Sequence, residues 1–410
     1  MLRLGGVVIH MQQTIEGIEV LVSGAETFEE IKKLPVLEIF CIDVINFLDE
    51  LSGEIRKDKE SRAYPDLVTF GFFCRKANLI KLKEQYYEEY RMGRGLSFHI
   101  APSNVPINFA YSMVIGLLAG NAVIVRTSTK EFRQINILCR LITRVIEKSF
   151  SQIGKYIAIV KYERKQEIND YFSAMSDIRV VWGGDSTIRE IRKSEVPVRC
   201  VEIAFSDRYS LCILNAKEVC KIEDFSVVAR NFYNDTYLYD QNACSSPRLL
   251  YWIGNKDDIQ RAKEKFWRAI KCYASSKYTI EPVIAVEKLM TDYRTAIEFE
   301  NVRIEQDGSN LFHRILIEHL STDIFHYTCP GGSFLEYDSE EMSDLLPLLT
   351  NKVQTLSYLG MKPEEIADWL IKYGVTGVDR IVPMGKTTDL TLTWDGYNLI
   401  QTMSRKIYWE

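Results

Sequence analysis

Short apolar runs alternate with helical segments in the middle of the chain, and the alternation becomes regular at Leu96. The runs Leu96–Ile100 and Ala122–Arg126 are almost continuously apolar, as in strands that are buried on both faces. The segment between them predicts a helix from Pro106 to about Ala119, because proline suits the first turn and Gly120 can end the helix. A strand, a helix and a second apolar strand indicate a βαβ unit in a parallel sheet.

The alternation continues as far as Lys193. It predicts helices over 131–150, 165–174 and 187–193, with strands over 156–160 and 179–182. The last strand runs into Gly183-Gly184-Asp185-Ser186 before the next helix begins. Strands and helices in this order predict a doubly wound, nucleotide-binding sheet.

A second α/β section covers about 237–385 and follows a predicted helix over 225–234. Its predicted elements are strands over 248–253, 334–337, 353–359 and 380–383, with helices over 257–273, 339–346 and 363–373. The predicted fold class is therefore α/β, with two doubly wound lobes.

We divide the chain into three parts. Residues 1–236 form an N-terminal segment and a dinucleotide-binding domain, and residues 237–385 form the domain that carries Cys244. Residues 386–410 return to the first domain or form an oligomer contact.

Composition and charge exclude several classes of function. The 410 residues are 46% hydrophobic and 26% charged, and a net charge of −5 gives no general attraction to nucleic acid or to an anionic membrane. Nine scattered cysteines without a C-x-x-C pair predict reduced thiols in a cytoplasmic protein. Five histidines without an H-E-x-x-H motif predict no metal site.

Neither a secretory signal nor a membrane span is predicted. Residues 1–10 lack a charged region followed by a long apolar core and a cleavage site. The longest apolar stretch, 109–119, is well short of the roughly 20 residues that cross a bilayer.

Cys244 is the strongest candidate for chemistry. It lies in the polar, turn-forming segment Asp240-Gln-Asn-Ala-Cys-Ser-Ser-Pro247, between an aromatic run and an apolar run. A nucleophilic cysteine needs partial exposure and nearby backbone N–H groups, and this segment suits both needs. A buried structural cysteine is the alternative interpretation.

Three loops in chain order resemble the aldehyde dehydrogenase superfamily: Ala101-Pro-Ser-Asn-Val-Pro106, Trp182-Gly-Gly-Asp-Ser186 and Asp240-Gln-Asn-Ala-Cys244. Within it, the chain is more similar to the acyl-CoA reductases typified by the fatty acid reductase of bacterial bioluminescence (LuxC type). The segments 99–106, 240–247, 377–385 and 394–405 carry this likeness, which covers about 95–410.

The resemblance implies a covalent mechanism. Cys244 attacks the carbonyl of an acyl thioester, a nicotinamide then supplies a hydride, and the aldehyde is released. The Cys244 backbone N–H and the Asn104 side chain would stabilise the oxyanion. Without the resemblance, Asn104 is an ordinary turn residue.

The resemblance also implies a set of cofactor-binding residues. They are Ala101, Pro102, Ser103, Arg126, Thr127, Ser128, Trp182, Gly183, Gly184, Asp185, Ile188 and Glu336. Arg126 favours NADPH, because a guanidinium can bind two oxygens of a 2′-phosphate, although a solvated strand-end arginine is the alternative. Asp185 replaces the usual serine and would repel a phosphate, so a helix cap or a contact with a ribose hydroxyl is the expected role. Glu336 matches the family's glutamate that binds the nicotinamide ribose, and an edge-strand carboxylate facing solvent is the alternative.

The residue at the position of the general base distinguishes a reductase from an aldehyde-oxidising enzyme. Aldehyde-oxidising relatives carry a glutamate that activates water, and alignment of 210–214 with the following strand puts Phe205 there. An apolar residue cannot abstract a proton. Glu202 lies close enough in sequence to leave a shifted register open.

We therefore predict a cytoplasmic, NADPH-dependent reductase that converts a fatty acyl-CoA or another acyl thioester to the aldehyde. Such reductases often receive the acyl group from an acyl-protein synthetase, which makes that partner and homo-oligomerisation expectations. The alternatives are a cysteine acyltransferase or thioesterase without a dinucleotide, and a non-catalytic scaffold of a multienzyme complex.

Overall fold

The chain divides into two compact units in a computed structural model that describes residues 15–86, 90–306 and 308–410. The first unit contains the chain up to Ser206 together with Leu390–Glu410, and the second contains Asp207–Asp389. The segment 1–10, for which no signal was predicted, lies outside the described residues.

The first unit is built on a six-stranded sheet. Its elements are β1 Glu19–Ser23, α1 Phe28–Lys33, α2 Ile42–Lys57, α3 Pro65–Phe73, α4 Lys76–Lys83, β2 Arg91–Gly93, β3 Leu96–Ile100, α5 Asn108–Leu118, β4 Ala122–Arg126, α6 Arg133–Ser149, α7 Ser151–Gly154, β5 Ile157–Lys161, α8 Gln166–Met175, β6 Ile178–Trp182, α9 Asp185–Ile191 and β7 Val201–Phe205. The strand order is β1-β5-β4-β3-β6-β7, and β1 alone runs antiparallel to its neighbour.

The chain reverses its direction of travel across this sheet between β3 and β6. From β3 it moves outward through β4 to β5, and then returns to add β6 and β7 on the other side of β3. Ligands of doubly wound folds bind at the carboxyl ends of the strands beside such a reversal. The loops after β3 and β6 lie at that point.

Helix α5 packs very closely on the centre of the sheet. All its residues from Phe109 to Leu118 are buried. A side chain at Gly116 would come within 3.1 Å of Ser97 and His99 and closer still to Val123, so only glycine fits there.

The second unit is a seven-stranded sheet with apolar cores on both faces. Its elements are β8 Tyr209–Asn215, α10 Ala216–Cys220, α11 Ser226–Thr236, β9 Pro247–Ile253, α12 Lys256–Ser275, α13 Pro282–Glu298, β10 Arg303–Gln306, β11 His313–Leu316, β12 Ser333–Ser339, β13 Val353–Leu359, α14 Pro363–Lys372 and β14 Arg380–Pro383. The order is β10-β11-β12-β9-β8-β13-β14, with only the β10–β11 pair antiparallel.

The last residues return to the first unit. They form β15 Thr393–Trp394, β16 Tyr397–Asn398, α15 Leu399–Met403 and β17 Ser404–Lys406. Strand β17 pairs with β2, and the Asn121 side chain donates to the Met403 carbonyl. Arg91 donates to the Ser404 hydroxyl and the Gln401 carbonyl.

The observed boundaries correct the predicted ones. The first unit ends at Ser206 rather than at 236, because β8 joins the second sheet beside β9. The predicted helix over 339–346 is wrong: Ser339 ends β12, and a 3₁₀ helix covers Met342–Leu348 with Pro347 inside it. None of the helices among the described residues combines the length and apolar character needed to cross a bilayer.

Candidate active site

Cys244 lies in a loop that leads into the central strand of the second sheet. A 3₁₀ turn, Tyr237–Tyr239, precedes the loop and β9 follows it, so the thiol is at the amino edge of the parallel strands. Asp240 and Gln241 both adopt left-handed backbone conformations, with φ of 50° and 58°. The thiol is partly exposed. This is the setting expected for a nucleophile and not for a packing cysteine.

Gln241 holds the loop by its side chain. The side chain is fully buried, and its amide nitrogen donates to the Pro247 and Ser333 carbonyls at 3.1 and 2.9 Å. Its oxygen accepts from the Gly332 and Ser333 N–H groups at 3.0 and 3.1 Å. The amide thus joins the starts of β9 and β12 as a backbone group would.

Two strand-start residues contact Cys244 directly. The Gln354 Nε2 donates to the Cys244 Sγ at 3.2 Å, and the Ser210 hydroxyl donates to the Cys244 carbonyl at 2.7 Å. Ser210 also accepts from the Thr355 N–H. A donor to sulfur stabilises the thiolate over the thiol.

A guanidinium group lies close enough to the thiol for their charges to interact. Burial lowers the pKa of Arg248, and its charge interaction with the Cys329 and Cys244 thiols, when these are ionised, opposes that shift. Arg248 also donates to the Thr328 hydroxyl at 2.7 Å. Nearby positive charge is the usual means by which a protein favours a thiolate. The Cys329 thiol is fully buried, and burial raises its pKa to about 12, so it is not a comparable nucleophile.

Asn104 belongs to the first unit. It lies exposed in the loop after β3, which contains Ala101, Pro102 and Ser103 at the point of strand reversal. Cys244 belongs to the second unit, so the distance between the two side chains is not fixed by either unit. Their pairing around an oxyanion stays a prediction.

The residues after β4 are largely committed to internal contacts. The Arg126 guanidinium donates two hydrogen bonds, at 3.3 and 3.1 Å, to the Tyr162 carbonyl and lies 4.7 Å from the Tyr162 ring centre. Thr127 is 1% exposed and donates to the Val160 carbonyl, so its predicted cofactor contact is not supported. The buried Ser128 hydroxyl accepts from the Lys130 N–H.

The residues after β6 lie on the other side of the strand reversal. Trp182 is buried, and its indole N–H donates to the Ser112 hydroxyl at 3.0 Å. Gly183 and Gly184 link β6 to α9, in which Asp185 is the first residue and Ile188 is buried. Gly184 has an ordinary φ of −62°, so the structure gives no conformational reason for a glycine there.

Hydrogen bonds between buried side chains connect the strands on the two sides of the strand reversal. His99 Nδ1 lies 2.6 Å from the Ser112 hydroxyl that Trp182 also contacts, which links β3, α5 and β6. Burial lowers the pKa of His99 to about 3, so the ring is neutral. His99 is therefore a structural residue.

The residues considered for a general base are unsuited to that role. Phe205 ends β7 and stacks on Trp182 with a ring-centre separation of 3.6 Å. Burial acts to raise the pKa of Glu202, but hydrogen bonds from Arg192 and Arg179 outweigh it and lower the pKa. A carboxylate held in this way is a weak base.

Glu336 is the centre of a buried ion-pair network. It is 1% exposed on an internal strand, its two oxygens accept from Arg314 at 2.7 and 3.0 Å, and Lys263 lies 2.7 Å away. Burial acts to raise its pKa, and the two cations more than offset that effect. A ribose cannot reach this carboxylate, so neither predicted interpretation, ribose binding or a solvated edge, fits.

Sequence reasoning missed the residues that surround the thiol. Gln241 was inside the quoted motif, and its position three residues before Cys244 was the one available signal. Ser210, Arg248 and Gln354 come from three separate strand regions and carry no local signal. Among the described residues, no group of three or more His, Cys, Asp or Glu side chains could hold a metal ion.

Comparison with known families shows the family to which the chain belongs. A family model described as acyl-CoA reductase (LuxC) matches residues 78–406, most of the chain. The protein belongs to this family.

Curated relatives match with low identity. A long-chain acyl-protein thioester reductase of Aliivibrio fischeri is 26% identical over 165 residues, which cover 40% of this chain and 33% of the relative. A protein of the same name from Photorhabdus luminescens is 25% identical over 299 residues, 71% of this chain and 58% of the relative. The matches thus span between about a third and three fifths of these relatives.

Solved structures show the fold. A lactaldehyde dehydrogenase has a TM-score of 0.65 at 12% identity, and the match covers 93% of this chain and 88% of that chain. The fold is therefore that of the aldehyde dehydrogenases, as predicted.

Proposed function

We propose that this member of the acyl-CoA reductase (LuxC) family reduces a fatty acyl thioester to the aldehyde through a covalent intermediate on Cys244. The observation that carries the proposal is the setting of the Cys244 thiol, which is partly exposed, accepts a hydrogen bond from Gln354 and lies near the Arg248 guanidinium. The relatives from Aliivibrio fischeri and Photorhabdus luminescens are named long-chain acyl-protein thioester reductases, which is consistent with a long acyl chain.

The first half-reaction moves the acyl group to the enzyme. The Cys244 thiolate adds to the thioester carbonyl carbon, and the tetrahedral centre collapses with loss of the carrier thiolate, which takes up a proton from solvent. Negative charge on the carbonyl oxygen would be stabilised by the Cys244 N–H and by Asn104. Gln354 and Arg248 would keep the sulfur ionised before attack.

The first unit is suited to a dinucleotide. Its doubly wound sheet places the loops 101–103 and 183–185 side by side at the strand reversal, where such cofactors bind. A reduced nicotinamide dinucleotide held there would supply the hydride. The resulting thiohemiacetal on Cys244 collapses to aldehyde and thiolate, so one thioester, one hydride and one proton give one aldehyde and one carrier thiol.

Two features favour reduction over oxidation. Phe205 offers no base for water activation, and Glu202 is neutralised by two arginines. An acyl-enzyme that water cannot attack persists until hydride arrives.

We propose NADPH as the reductant. Arg126, whose guanidinium is held by the Tyr162 carbonyl, and the exposed Arg164 lie close enough for their charges to interact, at the carboxyl ends of β4 and β5. Two guanidinium groups beside the predicted ribose position favour a 2′-phosphate.

We also propose a cytoplasmic location, because all nine cysteines are unpaired. As the donor of the acyl group we propose an acyl-carrying protein such as a synthetase.

The test separates acylation from reduction. Wild type, Cys244→Ala and Cys272→Ala are incubated with acyl-CoAs of increasing length, and intact mass is recorded before NADPH or NADH consumption is followed. Cys272 is an exposed thiol and gives a matched control. We expect acylation and turnover in wild type and Cys272→Ala, and neither in Cys244→Ala.

Each other outcome overturns part of the proposal. Acylation without NADPH or NADH consumption would indicate the acyltransferase or thioesterase alternative. No acylation from any thioester, including an acyl-protein donor, would favour a scaffold. Turnover by Cys244→Ala would exclude the covalent mechanism.

A further inference from the structure

Helix α13 is amphipathic, but it buries its polar face and exposes its apolar face. The side chains that it buries against the second unit are polar: Lys288, Thr291, Asp292 and Thr295. The side chains that it exposes are large and apolar, with exposed fractions of 47% to 79%: Val283, Val286, Leu289, Met290, Tyr293 and Ile297. A surface helix of a monomer normally shows the opposite arrangement.

The buried polar face is built into the unit, so the helix is not misoriented. Lys288 donates to the carbonyls of Asn310, Leu311 and Gly332 at 2.8, 3.3 and 3.3 Å. Asp292 lies 2.9 Å from the His313 ring nitrogen. Rotation of α13 to bury its apolar stripe would leave these charged groups without their partners, at a cost of several hydrogen bonds.

The spacing of the stripe is that of a two-helix seam. Val283, Val286, Met290, Tyr293 and Ile297 follow one another at intervals of three, four, three and four residues. Strict alternation of three and four gives a narrow stripe that fits between the side chains of one facing helix. A sheet or a flat apolar surface does not require this regularity.

The charges beside the seam are self-complementary. Glu287 and Arg294 are exposed, have opposite signs and lie seven residues apart on the same edge of the stripe. When two such helices pack antiparallel, the same edge of each helix meets, which brings Glu287 of one chain to Arg294 of the other twice. A two-fold axis would pass close to Met290.

We propose that α13 is a homodimer interface, in which the helix packs antiparallel against α13 of a second copy of this chain. The six exposed side chains would bury on the order of 600 Å² per chain, close to the roughly 800 Å² per partner of a standard interface. The adjoining surface of the second unit would have to supply the remainder. The inference does not depend on the proposed function.

The experiment measures oligomeric state without substrate. Sedimentation velocity is recorded over a range of protein concentrations for wild type, Met290→Glu and Ile371→Glu. Ile371 is 78% exposed on α14 of the same unit, so it is a matched control for an added surface charge. We expect Met290→Glu to raise the dissociation constant of the dimer at least about 100-fold, because it places two like charges at the two-fold axis. Ile371→Glu should leave it unchanged.

A charge exchange tests the antiparallel arrangement. Glu287→Arg and Arg294→Glu should each weaken the dimer, and the double variant should restore it, which a simple loss of folding would not do. Thermal unfolding of each variant shows that the unit is intact.

A protein that is monomeric throughout, or an oligomer that Met290→Glu leaves unchanged, would overturn the proposal. So would a wild-type monomer whose stripe instead binds lipid vesicles or another protein.

Discussion

The contact between Gln354 and Cys244 connects a buried amide on one strand with a partly exposed sulfur 110 residues away in the sequence. The amide can only donate to the sulfur through Nε2, so the contact is stronger when the sulfur is charged. Arg248 acts in the same direction from another strand. We therefore expect the acidity of the Cys244 thiol to depend on the Gln354 and Arg248 side chains as well as on its own exposure.

Removal of the Gln354 donor should make the thiol less acidic. Methionine has a similar shape and no N–H group, and in Gln354→Met we expect the midpoint of the pH profile for Cys244 alkylation to rise by about one unit. Peptide-resolved mass spectrometry measures the rate at each pH. The exposed Cys272 in the same sample is the reference and should keep its profile. An unchanged Cys244 profile would show that the amide does not stabilise the thiolate.

At the residue scale, the sequence predicts Cys244 as the nucleophile, which stays a prediction, and it did not predict the residues that surround the thiol. That prediction could be made because a nucleophilic cysteine needs a polar, turn-forming segment, which is a local feature of the sequence. Gln354 and Ser210 contact it only because parallel strands bring their amino ends together, and that neighbourhood is set by sheet order. Glu336 was misassigned because sequence could not show that β12 is internal.

At the element scale, the internal strand β12 contains a buried carboxylate, that of Glu336. Glu336 accepts from Arg314 and pairs with Lys263, which is itself nearly buried on α12. Ion pairs without solvent are held by mutual attraction, and the loss of one partner leaves the other charges uncompensated.

Glu336→Gln should destabilise the second unit. The change removes the negative charge between two buried cations, and we expect the free energy of unfolding to fall by about 3–5 kcal/mol. Urea denaturation measures it, with the exposed Glu340→Gln as control. Normal stability together with a raised KM for the nicotinamide cofactor would instead restore the ribose-binding interpretation.

Sequence predicted elements well where their apolar faces point inward. Strands β3 to β6 and helix α5 are buried on most sides, so their hydrophobic runs are continuous and their bounds were close. Helix α13 was not predicted, and its apolar residues mark the solvent face and not the core. The segment 342–348 forms a 3₁₀ helix with Pro347 inside it, and the proline ring disfavours an α-helix there because it would clash with the carbonyl four residues earlier.

At the scale of the whole molecule, a buried carboxylate connects helix α11 with the last residues of the second unit. Asp235 at the end of α11 accepts from the Gly385 N–H at 2.5 Å and the Thr387 N–H at 3.0 Å. Burial raises the pKa of Asp235 to about 6, although both hydrogen bonds act in the other direction.

This carboxylate should make stability depend on pH in an unusual direction. Its pKa is higher in the folded state than in the unfolded chain, so the folded state binds the proton more tightly. The contribution is complete below about pH 4 and is lost as pH rises through about 6, and a shift of about two units corresponds to about 3 kcal/mol. Urea unfolding between pH 4 and 7 should show a smaller loss on raising pH in Asp235→Asn than in wild type. Parallel curves would contradict the assignment.

The return of the chain to its first unit has a consequence for biosynthesis. A ribosome completes all of 207–389 before it makes 390–410, so the unit encoded in the middle can fold while the first is still unfinished. Until then β2 lacks β17, and the Asn121 amide lacks the Met403 carbonyl. Strand β2 must therefore wait for its partner strand while the whole second unit is made, and this two-stranded sheet can form only after 404–406 have been synthesised.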